Sequence, residues 1–315
     1  MADFSKTMTM KCLFRLGVSS LILALGACSA QPRERVPAYR GFSDPDQLHA
    51  YLWGSGGNAR LISAHRGGPG PGLPENALET FARSLELAPC IIECDVRLSR
   101  DGVAVLMHDD TLDRTTDGKG PVTARDLSGL RGLRLRDPSG KLTSFRIPTL
   151  GETLEWARGR CVLTLDVKSS RVYSRVLEAL ARHRAWGYAV VITYSHTRAE
   201  WIHTRDPRAV ISASAGSPAS LTHLLRLKIP ASRLVAFVGT REPDPEVYRM
   251  LRARGIPAIL GTMNHLDRRA RRRGDRIYRE LFQQGAQILS TDHVRRVARC
   301  LDAMGHAARV SSKEK

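Results

Sequence analysis

The chain has 315 residues, of which 42% are apolar, and 49 Lys and Arg face 31 Asp and Glu for a formal charge of +18. This length allows one large domain or two ordinary ones, and the apolar content is ample for a core, so a disordered chain is excluded. The charge favours anionic partners, acidic membrane surfaces or phosphorylated molecules. Nucleic acid is the least favoured, because the Arg-rich run from Arg268 to Arg273 has no interleaved aromatics for base stacking.

Lys6, Lys11 and Arg15 precede an apolar run from Leu16 to Leu25, too short to cross a bilayer comfortably and read as a signal-peptide core. It ends in Leu25-Gly26-Ala27-Cys28, which resembles a bacterial lipoprotein box. The resemblance implies cleavage before Cys28 and acylation of its thiol, with residues 1–27 as signal peptide; a plain secretory signal cut nearby is the alternative. Cleavage leaves 46 basic and 30 acidic residues, a charge of +16. Ser29, in place of the Asp that retains lipoproteins at the inner membrane, favours the periplasmic face of the outer membrane. Residues 28–60 are expected to form a tether and a short helix, with Asp44 as N-cap and Pro45 in the first turn.

From Leu61 strand-like and helix-like blocks alternate. Leu61–His65 is an expected strand, Asn76–Ala88 an amphipathic helix, and Ile91–Val96 and Val103–His108 further strands. Asp101-Gly102 between the last two signals a two-residue hairpin. That turn pairs Asp95 with His108 and puts Glu93, Asp95 and His108 on one face, with Cys94 on the other. Residues 110–148 lack periodicity and read as an insertion over the site. Thr149-Leu150-Gly151-Glu152 is a capping box. Strands then follow at Val162–Val167, Ala189–Thr193, Ala209–Ala213, Leu234–Val238, Pro257–Leu260 and Gln287–Leu289, with helices at Val172–His183 and after Ser217 and Asp244. Eight or nine strands alternating with helices over roughly 230 residues predict a distorted (β/α)8 barrel over residues 61–300, with a basic tail at 301–315.

In such a barrel, strand C-terminal ends line the active site. His65 ends the first strand, Thr164, Asp166 and Lys168 share a face of another, and Asp292 follows the last. Three carboxylates, Glu93, Asp95 and Asp166, with no soft ligand nearby select a hard cation, Mg²⁺ or Ca²⁺; the alternative is a network of acids paired with Arg66 and Lys168. His65 and His108 suit proton transfer near neutrality. Arg66 and Lys168 suit a phosphate, one as a planar fork and the other as a point charge. Cys90, Cys94, Cys161 and Cys300 lack the spacing of a zinc site and read as buried thiols.

Ala64-His65-Arg66-Gly67-Gly68, Pro74-Glu75-Asn76, Glu93-Cys94-Asp95, Asp101-Gly102 and His108-Asp109 occur in that order. With Leu112-Asp113-Arg114-Thr115-Thr116, Ile147-Pro148-Thr149-Leu150 and Ser290-Thr291-Asp292, this set resembles the glycerophosphodiester phosphodiesterase family. The resemblance runs from Leu61 to Val294, dense up to Lys168 and weak from there to Gly285. It implies a TIM barrel, a divalent metal on Glu93, Asp95 and Asp166, and hydrolysis of glycerophosphodiesters to glycerol 3-phosphate and an alcohol. His65 and His108 would be the acid–base pair, with Arg66 and Lys168 on the phosphate. Glu75 and Asn76 would support the site, and Asn76 would also cap the next helix. Water or the glycerol hydroxyl would be the nucleophile. Asp166 stands where the family usually has Glu, and Gly261-Thr262-Met263-Asn264 where a Trp-bearing stretch is common. A lysophospholipase D or phospholipase C-like enzyme on a related barrel would show an apolar wall; Trp201, Phe237 and Phe282 are candidates for it, although core packing is the expectation for them. A non-catalytic binder of anionic lipid is disfavoured by the two histidines, since binding needs no proton transfer.

Overall fold

The computed structural model describes Tyr39 and residues 41–305. The expected signal peptide, the Cys28 acylation site and the tail beyond residue 305 lie outside the described residues. The chain order is α1 (Pro45–Trp53), β1 (Leu61–Ala64), α2 (Leu78–Leu87), β2 (Ile91–Leu98), β3 (Ala104–Leu106), α3 (Leu127–Arg131), β4 (Arg134–Arg136), β5 (Leu142–Arg146) and α4 (Leu150–Ala157). Then come β6 (Leu163–Val167), α5 (Val172–Arg182), β7 (Ala189–Thr193), α6 (His196–Arg205), β8 (Val210–Ser214), α7 (Pro218–Arg226) and β9 (Leu234–Phe237). The order closes with α8 (Pro245–Arg252), β10 (Ala258–Gly261), α9 (His265–Arg273), α10 (Arg276–Gln284), β11 (Ile288–Thr291) and α11 (Val294–Ala303).

Eight strands, β1, β2 and β6 to β11, pair in parallel, and β1 contacts both β2 and β11, so the sheet closes on itself. This is a (β/α)8 barrel. Strand alternation sorts each side chain. In β2, Ile92, Cys94 and Val96 face the helix layer and join the main core, while Ile91, Glu93 and Asp95 face the barrel interior. The lower interior is apolar: Leu61, Ile91, Val162, Val190, Val210, Val235 and Ile288 meet Leu48 and Leu52 of α1. Leu48 and Leu52 are fully buried there, each side chain contributing about 1.5–3 kcal/mol. Asp44 accepts the Asp46 and Gln47 backbone N–H groups, so the expected cap positions the helix that plugs the barrel floor. Among the described residues no helix is long and apolar enough to cross a membrane.

The insertion after the third strand folds on its own core. Leu112, Val122, Leu130, Leu135 and Ile147 pack with Val105 and Met107, and β4 and β5 form a separate antiparallel pair. The capping box at Thr149 and Glu152 is present. Cys90, Cys94, Cys161 and Cys300 are buried and free.

Two expectations are corrected. First, the hairpin register is shifted by one: Leu98 opposes Ala104 and Arg97 opposes Val105. Ser99 and Val103 close a loop of Arg100, Asp101 and Gly102, and of these only Gly102 has positive φ (78°). A type I′ turn needs positive φ at both central residues, so the chain takes the three-residue loop instead. Second, α2 starts at Leu78, because Asn76 is left-handed (φ 59°) and its side chain is engaged elsewhere. The last helix, α11, runs to Ala303 with Leu301 buried. The helix α6 has no counterpart among the expected elements, because its run His196–Arg205 is too polar to show a helical stripe; only Ala199 and Ile202 are buried.

Candidate active site

After Ala64 the chain leaves β1 in a tight turn in which Arg66 (φ 51°), Gly67 (84°) and Gly68 (78°) are left-handed. A Cβ on Gly67 would lie 2.2 Å from Phe81 Cδ1, so only glycine fits between the turn and α2. The turn aims the Arg66 backbone N–H at Glu93 Oε2, 2.7 Å away. Its guanidinium lies 3.2 Å from Glu75 and 3.8 Å from Asp95. Arg66 Nε is buried with no hydrogen-bond partner, a donor left over for an anion. His65 Nδ1 is 2.7 Å from Asp292 Oδ1. Burial opposes protonation of His65, but the Asp292 hydrogen bond and the charges of Glu93 and Asp292 outweigh it and raise its pKa.

The register of β2 against β6 sets Glu93 beside Thr164 and Asp95 beside Asp166. Oxygens of Glu93, Asp95 and Asp166 lie within 4.8 Å of one another, all three residues buried. Lys168 Nζ sits 2.7 Å from Asp95 Oδ1 and 2.5 Å from Asp166 Oδ2. Asn76 donates to Asp95 Oδ2 at 2.7 Å and accepts the Asp95 backbone N–H at 2.9 Å, which fixes that carboxylate's orientation. Asn76 therefore holds Asp95 and does not cap α2.

Burial opposes ionisation of Asp95, but Lys168, Asn76 and His108 together lower its pKa. For Glu93, burial with the charges of Asp95 and Asp166 outweighs the pull of His65 and the Arg66 backbone N–H and pushes it up to about 8. The pairing of acids with Lys168 and Arg66 is thus real but incomplete. It leaves one strained carboxylate in an all-oxygen set, which is the donor chemistry that fits a hard divalent cation.

His108 follows β3, close enough to Asp95 for its charge to act there. Its carbonyl accepts both Arg97 Nε (2.9 Å) and Nη2 (2.7 Å), and its Nδ1 is 2.7 Å from Asp109 Oδ1. These contacts place the ring even though the hairpin register differs from the expected one. Arg114, from the insertion, bridges Asp109 and Glu75, donating to both Glu75 oxygens at 2.8 Å. Glu75 is therefore clamped between Arg66 and Arg114.

A cavity of about 70 Å³ opens among these residues, with His65, Glu93 and Asp166 on one side. Ile192, Tyr194, Phe237, Ile259 and Met263 form the other side. Phe237 lines the cavity against expectation, because it ends β9 pointing inward; Trp201 instead stacks under Arg198, and Phe282 is buried. Tyr194 was missed by sequence reasoning. It is 59% exposed, lies edge-on to Phe237, and its hydroxyl donates to Asp166 Oδ2 at 3.3 Å. Arg268, Arg271, Arg272 and Arg273 of the Arg-rich run are exposed on α9, while Arg269 is half-buried and paired with Glu242.

Residues 65–299 match the glycerophosphoryl diester phosphodiesterase family. The chain belongs to this family. A glycerophosphodiester phosphodiesterase of Caldanaerobacter subterraneus subsp. tengcongensis is 33% identical over 143 residues, which is 43% of this chain and 58% of that one. A Bacillus subtilis enzyme of the same name is 24% identical over 226 residues, 65% of this chain and 77% of its own length. The chain thus spans a little over half the length of the first of these relatives. The crystal structure of a glycerophosphoryl diester phosphodiesterase from Parabacteroides distasonis superposes with a TM-score of 0.78 at 33% identity, covering 87% of this chain and 96% of that one. An Oleispira antarctica phosphodiesterase solved with the product sn-glycerol-3-phosphate shares the fold, with a TM-score of 0.61 at 21% identity over 78% of this chain and 97% of that one.

Proposed function

We propose that this protein hydrolyses glycerophosphodiesters to glycerol 3-phosphate and an alcohol, with His65 and His108 as the acid–base pair. The observation that carries this reading is the convergence of two carboxylate-held imidazoles on the buried Glu93, Asp95 and Asp166 cluster. Family membership supports it. Arg66 Nε and the Lys168 ammonium would take the phosphate oxygens and stabilise charge as it develops there. Asp292 orients the His65 ring and favours its protonated form, and Asp109 orients that of His108. One ring takes the proton of the attacking hydroxyl and the other returns a proton to the leaving alkoxide. Glu93, Asp95 and Asp166 would hold Mg²⁺ or Ca²⁺, which when bound supplies Lewis-acid charge at the phosphoryl group. Glu75 and Asn76 keep Arg66 and Asp95 in place.

Placement on the periplasmic face of the envelope, lipid-anchored through Cys28, belongs to the same proposal and rests on the sequence of residues 1–28. No nucleic acid partner is proposed.

The test is release of glycerol 3-phosphate from glycerophosphocholine and glycerophosphoethanolamine by residues 29–315, first in EDTA and then with Mg²⁺ or Ca²⁺. Metal-restored release is expected. A folded sample that stays silent with both metals and both substrates would overturn the reading.

A further inference from the structure

Helices α9, α10 and α11 pack side by side on the outside of the barrel. Asp275, between α9 and α10, ties them together by holding Arg296 and Arg299 of α11 at 2.6 and 3.4 Å. Each helix turns apolar residues inward: Leu266 and Ala270, Tyr278 and Leu281, Val297 and Leu301. The outward face carries Arg268, Arg271, Arg272 and Arg273 of α9 and Arg276 and Arg279 of α10, all exposed. None of these six makes an ion pair among the described residues, whereas the half-buried Arg269 and Arg296 do. Arg295 and Arg299 extend the face onto α11, and Glu280 and Asp302 are the only exposed acids on the three helices.

Local energetics account for only part of this face. A cation in the last turn suits the negative end of a helix, which covers Arg271, Arg272 and Arg273. Arg268 and Arg272, however, are like charges at i and i+4, an arrangement that disfavours the helix. Arg276 opens α10, at the end where the macrodipole repels a cation. On α2, α5 and α8 the surface is built differently: Arg83, Arg175 and Arg249 each pair with a Glu three residues away. The α9–α10 face is therefore a concentration of unneutralised charge, and a counter-charge from outside relieves its self-repulsion.

We propose that this face docks on a bilayer surface rich in anionic lipid headgroups. Its make-up selects that partner over nucleic acid. Base stacking needs exposed aromatic side chains, and the face has none: Tyr278 and Phe282 of α10 are buried, and the exposed Tyr194 lies at the cavity. The same lack of exposed apolar side chains gives contact with headgroups and no insertion into the acyl layer. Attraction to an anionic bilayer falls off within a Debye length, so arginines gathered on adjacent helices act together where scattered ones do not. Arg295 follows Asp292 by three residues, so the face begins at the rim of the barrel mouth and runs down the barrel's flank.

The closed barrel and its plug lie within residues 45–303, so the test uses residues 29–315, which lack Cys28. Co-sedimentation compares vesicles of phosphatidylcholine alone with vesicles of equimolar phosphatidylcholine and phosphatidylglycerol. Wild type should bind the anionic vesicles and not the neutral ones. Binding should be lost as salt rises from about 0.1 M to about 1 M, where the Debye length shrinks from about 10 Å to about 3 Å. Arg271→Gln/Arg272→Gln/Arg273→Gln should weaken binding roughly a hundredfold, about fivefold for each arginine. Arg276→Gln/Arg279→Gln, on the neighbouring helix, should weaken it about 25-fold. Arg83→Gln/Arg175→Gln/Arg249→Gln removes the same net charge as the first variant from paired sites elsewhere and should leave binding close to wild type. Equal losses in the two triple variants would assign the binding to net charge and overturn the proposal. So would wild type that ignores the anionic vesicles, binds both kinds of vesicle alike, or binds duplex DNA of equal phosphate concentration more tightly. The assay has no hydrolytic step, so its outcome is independent of the phosphodiesterase reading.

Discussion

The two arcs of the barrel mouth are made of different materials. Strands β1, β2 and β6 deliver His65, Arg66, Glu93, Asp95, Asp166 and Lys168, and the β3 segment adds His108. Strands β7, β9 and β10 deliver Ile192, Tyr194, Phe237, Ile259 and Met263, with no charged group on the cavity. The division separates two tasks. Under the proposed reaction, charge on one arc would act on the phosphorus, and shape on the other would bear on what is held beside it. Asp292, after β11 and next to the end of β1, holds His65 from the neighbouring strand.

This comparison breaks most sharply at the histidines. His65→Ala and His108→Ala should each cut kcat by about 10²–10⁴, with binding of glycerol 3-phosphate preserved. Substantial turnover left in either variant would remove that ring from proton transfer. Asp292→Asn should lower kcat by roughly 10–100-fold, because it removes the group that orients and charges His65. A shift of the pH–rate profile to lower pH would separate this effect from a structural one; an unmoved profile would mean that Asp292 only packs.

Glu93 supplies a test on stability. Its folded pKa, about 8, stands above its ordinary value, so the folded state binds more protons than the unfolded state between about pH 4.5 and 8. The stability Glu93 contributes is therefore fully present below its ordinary pKa and is lost as pH rises to about 8. Metal-free wild type should lose melting temperature over this window relative to Glu93→Gln, and Mg²⁺ or Ca²⁺ should shrink the difference. Parallel melting curves for the two proteins without metal would refute the strained-carboxylate account. The smallest effect on catalysis is expected far below the mouth. Leu52→Ala should cost about 2–5 kcal/mol of stability in denaturant melts while kcat at low temperature stays near wild type. A large drop in kcat would show that the plug and the site are coupled.

The charged arc was the legible one. Glu93, Asp95, Asp166 and Lys168 follow from two-residue alternation on strands long enough to be recognised, and His65 and Arg66 from an ordered set of motifs. The apolar arc was not. Tyr194 is one residue past an apolar strand and has no local signal; its role depends on Phe237 and Asp166, 43 and 28 positions away in sequence. The hairpin failed for a local reason, since Asp101-Gly102 serves a two-residue or a three-residue loop equally well. His108 nevertheless reaches the site through Arg97 and Asp109, contacts that period-two reasoning does not contain. The pairing of His65 with Asp292 spans 227 residues and becomes visible only once the barrel closes β1 onto β11.

The α1 plug has a consequence for the order of events. Among the described residues, Leu48 and Leu52 seal the far end, which makes the barrel a well closed at its floor. Under the proposed reaction, the part of the substrate that passes deepest into this well would enter first and leave last. The group that stays at the mouth would depart first, and the product still in the well would compete with incoming diester.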